Sequence, residues 1–172
     1  FNASSSDVSS PIKLLRSLAR VDVGIAFNND PQSETTQPGM LVPFKLKSVS
    51  VYRTGTSFSV PSTQKSYLEN IPFIPATMQY RTDDIPLRYV LDKAGDSYVR
   101  EIYIPERMAG NDNNNAPCLI IGGFYKDSQK ITYYRADFME KDAISNTAKY
   151  LDILRNYRYR FNISKVSGPG FD

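Results

Sequence analysis

The sequence predicts an all-β protein, an antiparallel β-sandwich of about six to seven strands with at most one short helix. The first observation is that apolar and polar residues alternate, as in a half-buried strand, more often than apolar residues recur at helical spacing. The second is that the alternating segments are rich in β-branched and aromatic residues, and clusters of proline or asparagine separate them.

The size and the charge of the chain narrow the classes of function. At 172 residues, with 41% hydrophobic and 23% charged residues, the chain is large enough for one domain with a genuine core. Residues 1–13 are polar and predict a linker or tail, and residues 14–172 predict a single sandwich domain. The net charge of +3 is too small to indicate a nucleic-acid partner. No apolar run approaches the roughly 20 residues that a membrane span needs.

The first strand is predicted over residues 21–27, after a short lead-in at residues 14–19. Its apolar residues stand at every second position, which places them on one face of a sheet. These residues are Val21, Val23, Ile25 and Phe27. Two arginines, Arg16 and Arg20, interrupt this part of the chain. They are chemically competent sites for an arginine-specific protease, or they are structural residues that discourage edge pairing.

Four further strands are predicted over residues 44–53, 97–105, 117–125 and 130–138. The alternation in the first of these slips near Ser48, which predicts a β-bulge or another irregularity there. The third is apolar on both faces, as a central strand covered on two sides would be. Its two glycines, Gly122 and Gly123, predict a bulge or a close backbone contact.

The last strand, residues 157–165, has the most regular pattern. Its apolar face carries Tyr157, Tyr159, Phe161 and Ile163. Its other face carries Arg158 and Arg160, which we expect to lie in water and to tolerate alanine with little loss of stability. Aromatic residues interleaved with basic ones also occur in proteins that bind single-stranded nucleic acid. So regular an alternation favours a half-buried strand instead.

The connections between the strands are predicted from composition. Residues 57–88 and 109–116 predict long loops, and prolines rule out a long helix in the first of them. Residues 141–154 are the best candidate for a short helix. The asparagine-rich residues 110–115 contain one carboxylate and lack the spacing of an EF-hand loop, so we interpret them as a hairpin tip.

Residue types that carry catalysis or bind metals in most enzymes are scarce. The chain has no histidine, which is both the commonest general base and the commonest metal ligand. Its single cysteine, Cys118, lies among apolar residues and is typical of a core position. A carboxylate pair drawn from Glu101, Glu106 and Asp137 is the remaining catalytic alternative, and it requires the fold to bring them together. We expect no enzyme activity, no cofactor and no metal site.

Several residues are expected to point into the core because they hold the apolar phase of their strands. They are Val21, Val23, Ile25, Ile120, Tyr159, Phe161 and Ile163. A second set forms the candidate core of a groove that accepts a strand from elsewhere. That set is Val21, Val23, Ile25, Phe27, Tyr159, Phe161 and Ile163.

Four segments stand out in chain order: "LLRSLARVDV", "CLIIGGFY", "ITYYRADF" and "ILRNYRYRFNISKVSGPG". Together they resemble the type V fimbrillins, the superfamily of major and accessory fimbrial subunits of anaerobic Gram-negative bacteria. The most specific element is the last one, with Arg155-Asn156, aromatic alternation and then Gly168-Pro169-Gly170. The pair Tyr133-Tyr134 supports it. The likeness covers most of the chain, is poor over residues 54–97, and is closest to the C-terminal domain of such subunits.

This resemblance implies a transthyretin-like Greek-key β-sandwich within a longer, two-domain subunit of a fimbria, or pilus. Such subunits are exported as lipoprotein precursors and lie at the cell surface, attached to the outer membrane by a lipid anchor that would lie outside this chain. They polymerise by donor-strand exchange after an arginine-specific protease removes an N-terminal segment. The implied partners are other fimbrial subunits, with host or bacterial surface ligands as further candidates.

Two expectations follow from combining the resemblance with the strand pattern. The family continues past its Gly-Pro-Gly signature, and six predicted strands are one fewer than such a sandwich contains. We therefore expect one strand to come from beyond Asp172 or from another subunit. The alternative is a surface lipoprotein adhesin of the same fold that does not polymerise and presents binding loops at residues 57–88 and 109–116.

Overall fold

The computed structural model describes residues 16–30, 32–37, 42–56, 86–109, 115–141, 145 and 147–172. The described strands are β1 (Ala19–Ile25), β2 (Phe44–Tyr52), β3 (Leu87–Gly95), β4 (Ser97–Ile104), β5 (Cys118–Tyr125), β6 (Ile131–Asp137), β7 (Met139–Lys141), β8 (Ala148–Tyr150) and β9 (Arg158–Ile163). The predicted polar tail, residues 1–13, lies outside the described residues. So does most of each predicted loop, namely residues 57–85 and 110–114.

Seven of these strands form two sheets that enclose a common core, and the two shortest form a separate hairpin. The smaller sheet has the strand order β4-β1-β9, the larger sheet has the order β3-β2-β5-β6, and β7 pairs with β8. Neighbouring strands are antiparallel, except that β1 and β9 run parallel. The all-β sandwich predicted from the sequence is confirmed.

The sandwich holds seven strands, which agrees with the predicted six to seven, whereas the short helix predicted over residues 141–154 needs correction. Within the two sheets, the one strand that the sequence pattern missed is β3, where Leu87, Tyr89 and Leu91 alternate with other residues. With β3 the two sheets hold seven strands, and each central strand (β1, β2 and β5) pairs on both sides. Because the pattern located only six of these seven strands, the count of six no longer supports a missing strand. The described part of residues 141–154 forms the end of β7, the strand β8 and extended chain instead of a helix.

The core lies between the two sheets and is filled by alternate residues of their strands. In β1, Val21 and Val23 have no exposed surface, and in β5 both Leu119 and Ile121 are buried. Ile120 lies between those two residues, so it points to the opposite face of β5 and is only half-buried. The prediction that Ile120 points into the core is wrong. A strand that is apolar on both faces gives no signal of its phase.

The irregularity predicted near Ser48 is confirmed. The register of β2 shifts between Leu46 and Ser48 against both of its neighbours. Gly123 stands opposite Leu46, and a Cβ atom at Gly123 would overlap the Phe44 ring and the Lys45 carbonyl oxygen. The close contact predicted for this glycine therefore holds the shifted strand against β5.

A second irregularity lies between β1 and β4. The pairing register jumps at Asp22, so that residues 99–101 of β4 stand opposite Asp22. At the centre of this bulge Arg100 adopts a left-handed backbone conformation (φ 62°), and its N–H donates to Oδ1 of Asp22 at 3.0 Å. A side-chain carboxylate thus accepts the bond that a backbone carbonyl accepts in a regular ladder.

Candidate functional site

The most distinctive surface of the sandwich is the edge of β9. This strand pairs with β1 on one side, and within the described residues no strand pairs with its other side. The carbonyl oxygen of Tyr157 accepts from the N–H of Arg20 in β1 at 2.9 Å, and that of Ile163 accepts from the N–H of Ala26, just after β1, at 3.0 Å. Because backbone groups alternate in direction along a strand, the N–H and C=O groups of residues 158, 160 and 162 point away from β1.

The inner side chains of β9 are less buried than those of its neighbour. Tyr159, Phe161 and Ile163 alternate towards the core and pack against it, yet each is only half-buried. Their equivalents in β1 are almost completely buried. Phe138 covers part of this surface, with T-shaped contacts to the rings of Tyr159 and Phe161 at centroid distances of 5.4 and 4.9 Å. The interior of the sandwich is therefore partly accessible along β9.

A cavity of about 350 Å³ opens at the end of β9. Apolar side chains from both sheets line it, together with the segment that follows β9. The lining residues are Phe44, Ile121, Tyr134, Ile163, Lys165, Val166, Ser167, Gly168 and Pro169. We call the edge of β9, its half-buried inner side chains and this cavity the open side of the sandwich.

The segment after β9 crosses from the smaller sheet to the edge of the larger one. The hydroxyl of Tyr134 donates to the carbonyl oxygen of Gly168 at 2.7 Å. Phe171 then forms an antiparallel bridge with Tyr133, with both N–H···O distances at 2.9 Å. A Cβ atom at Gly170 would overlap the Tyr133 carbonyl oxygen, so only glycine lets the segment lie this close to β6.

The opposite, outer face of β9 carries a network of charges instead of solvated arginines. At its centre is Asp22, whose side chain has no exposed surface. Its carboxylate accepts from Nε of Arg20 at 2.9 Å and from Nε of Arg158 at 2.5 Å. The prediction that Arg158 lies in water is wrong, because its guanidinium neutralises a buried charge. Arg20, one of the two candidate cleavage sites, is held in the same network, which supports its structural interpretation.

Glu34 extends this network over the surface. Its Oε1 accepts from Arg20 at 2.6 Å and from Arg100 at 2.8 Å. The bonds from Arg100 and Arg20 lower the pKa of the Glu34 carboxyl from its ordinary value of 4.5 to about 2. Glu34 belongs to the loop that follows β1, so these bonds hold that loop on the outer face of the smaller sheet.

Arg160 holds the same loop, and Phe27 lies beneath it. The guanidinium donates to the carbonyl oxygens of Asn28 and Asp30 at 2.8 and 3.2 Å, and lies 4.4 Å from the centre of the Phe27 ring. Phe27 is buried, but it packs over Gly24 on the outer face instead of in the core between the sheets. The left-handed conformation of Ala26 (φ 48°) breaks the alternation that placed Phe27 in the groove core.

A buried ion pair joins the start of β9 to the end of β4. Arg155 and Glu106 form a salt bridge with side chains 6% and 2% exposed, and the Arg155 N–H also donates to Oε1 of Glu106 at 3.0 Å. The next residue, Asn156, donates from its N–H to the carbonyl oxygen of Leu18 at 3.0 Å. The Arg-Asn pair therefore fixes the entry into β9 against the start of β1. No pattern in the sequence indicated that Glu106 is the partner of Arg155.

Two of the three candidate catalytic carboxylates have structural partners. Glu106 pairs with Arg155, Asp137 accepts from Arg135 at 2.8 Å, and Glu101 is exposed. Burial raises the pKa of the Cys118 thiol, which keeps it protonated. In the described part of the chain, no three His, Cys, Asp or Glu side chains are grouped to hold a metal ion. Likewise, no helix among these residues is long and apolar enough to cross a membrane.

The sequence-predicted groove residues thus fall into three groups. Val21, Val23 and Ile25 lie in the closed centre of the core, the three β9 residues lie along the open side, and Phe27 lies on the outer face, so its assignment to the groove was wrong. No protein family, no curated protein and no solved structure matches this chain. What can be inferred about its function therefore rests on its own residues.

Proposed function

We propose that this chain is a structural subunit of a bacterial surface fimbria that assembles by β-strand addition and contributes to adhesion. The observation that carries the proposal is the open side of the sandwich, where an edge strand and a partly accessible apolar interior occur together. Such an edge is a site at which an extended segment of another chain adds to a sheet.

The geometry of the open side fits an added strand. The N–H and C=O groups of β9 that point away from β1 supply main-chain bonds, which give affinity without sequence specificity. Side chains at every second position of the added strand cover Tyr159, Phe161 and Ile163, and one of them enters the cavity beside Val166. The filled cavity then fixes the register of the added strand.

The motifs that carry the resemblance to type V fimbrillins contact one another. The Gly168-Pro169-Gly170 segment lies on the Tyr133-Tyr134 pair, and Asn156 bonds to the segment before β1. Each motif thus has a definable task in shaping the open side or the strand that borders it. That the motifs identified in the sequence lie in contact in the fold supports the resemblance.

The proposal includes the partners and the location that the resemblance implies. The partners are other fimbrial subunits, in a homopolymer or a heteropolymer. The assembly lies at the cell surface, anchored to the outer membrane by a lipid outside this chain. The rival is an adhesin of the same fold that stays monomeric, and polymerisation separates the two.

The experiment compares two lysine substitutions in the full-length protein after protease treatment. Val166→Lys places a charge at the cavity of the open side, and Val90→Lys places one on the edge strand β3, where Val90 is 51% exposed. We expect the unmodified protein and Val90→Lys to form ladders that resist mild denaturation, and Val166→Lys to remain monomeric with an unchanged circular dichroism spectrum. A protein that never forms ladders, or a folded Val166→Lys variant that forms them normally, contradicts the proposal.

A further inference from the structure

A second concave surface lies at the other end of β9, separate from the 350 Å³ cavity. It is an open cleft of about 1010 Å³ between the β7–β8 hairpin, the chain after β4 and the start of β9. Ligand sites in proteins span roughly 300–1,000 Å³, so this cleft is large enough for an extended small molecule.

The walls of the cleft present flat and polarisable apolar groups to solvent. Tyr157 is 41% exposed, Met108 is 52% exposed and Met139 is 39% exposed. Together they account for three of the five large hydrophobic side chains that are exposed among the described residues. Exposed apolar groups gathered in one concavity mark a binding surface more often than scattered ones do.

One aromatic wall is held rigidly. The hydroxyl of Tyr159 donates to the carbonyl oxygen of Asp152 at 2.6 Å and accepts the N–H of Leu154 at 2.8 Å. Burial raises the pKa of Tyr159 to about 12, so this phenol stays neutral. The ring is therefore fixed before any ligand arrives, which lowers the entropy cost of binding.

Polar groups stand among these apolar walls. Oδ1 of Asp152 accepts the N–H of Ala109 at 2.6 Å, while Oδ2 has no hydrogen-bond partner among the described residues. Across the hairpin Glu140 pairs in register with Lys149, and both residues line the cleft. The cleft thus offers hydrogen-bond acceptors and donors beside exposed aromatic surface.

We propose that this cleft binds a saccharide chain. A pyranose ring has an apolar C–H face that packs against a tyrosine ring, and hydroxyls at its rim that donate to a carboxylate and accept from a lysine. The lining matches both properties. A purely apolar segment would leave Asp152 Oδ2, Glu140 and Lys149 desolvated without partners, which is costly.

The experiment titrates the full chain with three soluble probes: chitotetraose, maltotetraose and lacto-N-tetraose. Binding is followed by saturation-transfer NMR and by tyrosine fluorescence, which is unobscured because the chain has no tryptophan. We expect at least one probe to bind at millimolar concentration. Tyr157→Ala should weaken it at least about tenfold, since the stacking surface is lost. Asp152→Asn should also weaken it, while its remaining side-chain oxygen still accepts the Ala109 N–H.

Phe171→Ala is the matched control, because this side chain is 82% exposed and lies outside the cleft lining. It should leave the affinity unchanged. The proposal is overturned if none of the three probes binds, or if Tyr157→Ala and Asp152→Asn both bind as the unmodified chain does. It is also overturned if an extended apolar peptide, and no saccharide, perturbs the Tyr157 resonances. None of these results bears on ladder formation, so the proposed function is tested separately.

Discussion

Asp22 is the residue on which the outer face of the smaller sheet depends. A carboxylate without exposed surface is stable only when charged partners and hydrogen bonds replace its lost hydration. Arg20 and Arg158 supply the charge, and the N–H of Arg100 supplies a further bond. Because both arginines also contact the loop after β1, a single buried charge holds the sheet and the loop together.

Removing the charge of Asp22 should be strongly destabilising. Asp22→Asn leaves Arg158 without its counter-charge and Arg20 with Glu34 alone, and we expect a loss of roughly 3–5 kcal/mol in the free energy of unfolding by urea titration. The matched control is Asp172→Asn, which removes an exposed partner of Lys130 and should cost at most about 1 kcal/mol. Equal effects of the two substitutions would show that the Asp22 network is not a stabilising one.

The bonds from Arg20 and Arg100 to Glu34 attach the loop after β1, and they should make its attachment sensitive to strong acid. In the folded protein the pKa of Glu34 is lowered from its ordinary value of 4.5 to about 2. The hydrogen bond from Arg100 is the largest cause, and the bond from Arg20 is the next. A depressed folded pKa contributes stability that is fully present above pH 4.5 and is lost as the pH falls through 2. The stability difference between the unmodified chain and Glu34→Gln should therefore shrink over that window.

The carboxyl resonance of Glu34 measures this directly in an NMR pH titration. We expect a midpoint near 2 in the unmodified chain and a higher midpoint in Arg100→Gln, which removes the first of its two partners. A midpoint near the ordinary value in the unmodified chain would mean that neither arginine holds the loop in solution.

At the scale of elements, Phe138 joins the end of β6 to the inner face of β9. Phe138 is 1% exposed and contacts two rings of β9, while Phe161 is half-buried. Phe138→Ala should cost about 3–5 kcal/mol, the usual range for a fully buried phenylalanine, and Phe161→Ala should cost less. Thermal unfolding of both variants tests this order. If Phe161→Ala is the more destabilising, the inner face of β9 is not open in solution.

Gly123 sets the fit of β5 against the shifted strand β2. Gly123→Ala should cost at least about 1–3 kcal/mol, because its Cβ would overlap a backbone oxygen that cannot move without breaking the ladder. Gly168→Ala is the control, since a Cβ there meets nothing within 4 Å. Chemical denaturation of the two variants gives the comparison. A neutral Gly123→Ala would contradict the register of this strand pair.

Strands whose two faces differ could be both located and assigned an inner face from the sequence, whereas β5 could only be located. The alternation in β1, β4 and β9 gave both their location and their phase, and the slip near Ser48 gave the bulge. In β5 both faces are apolar, so Ile120 was assigned to the wrong face. The hairpin β7–β8 has strands of three residues, too short for a period-two signal to exceed a helical one.

The site could be predicted only where it depends on local pattern. The inward phase of Tyr159, Phe161 and Ile163 followed from alternation. The partners of the polar residues did not, because Asp22–Arg158 and Glu106–Arg155 join positions that only the fold brings together. The prediction that Arg158 is solvated failed for the same reason. A charged residue on the outer face of a strand is solvated unless a segment distant in sequence covers it.

The smaller sheet has three strands and the larger sheet has four, and this difference explains why the molecule has an open side. The fourth strand of the larger sheet, β6, carries inner residues such as Tyr134 that no strand of the smaller sheet covers completely. A sandwich of this shape is paired at its centre and accessible at one side. An added strand beside β9 would bring the smaller sheet to four.

Backbone hydrogen exchange in β9 tests strand addition most directly. The N–H groups of Arg160 and Asn162 point away from β1, and those of Tyr159 and Phe161 point towards it. In the monomer we expect rapid exchange at the first pair and slow exchange at the second. In assembled fimbriae of the full-length protein, exchange at Arg160 and Asn162 should become slow, while Tyr159 and Phe161 stay slow. Assembled material in which Arg160 and Asn162 still exchange as rapidly as in the monomer would contradict strand addition at the open side.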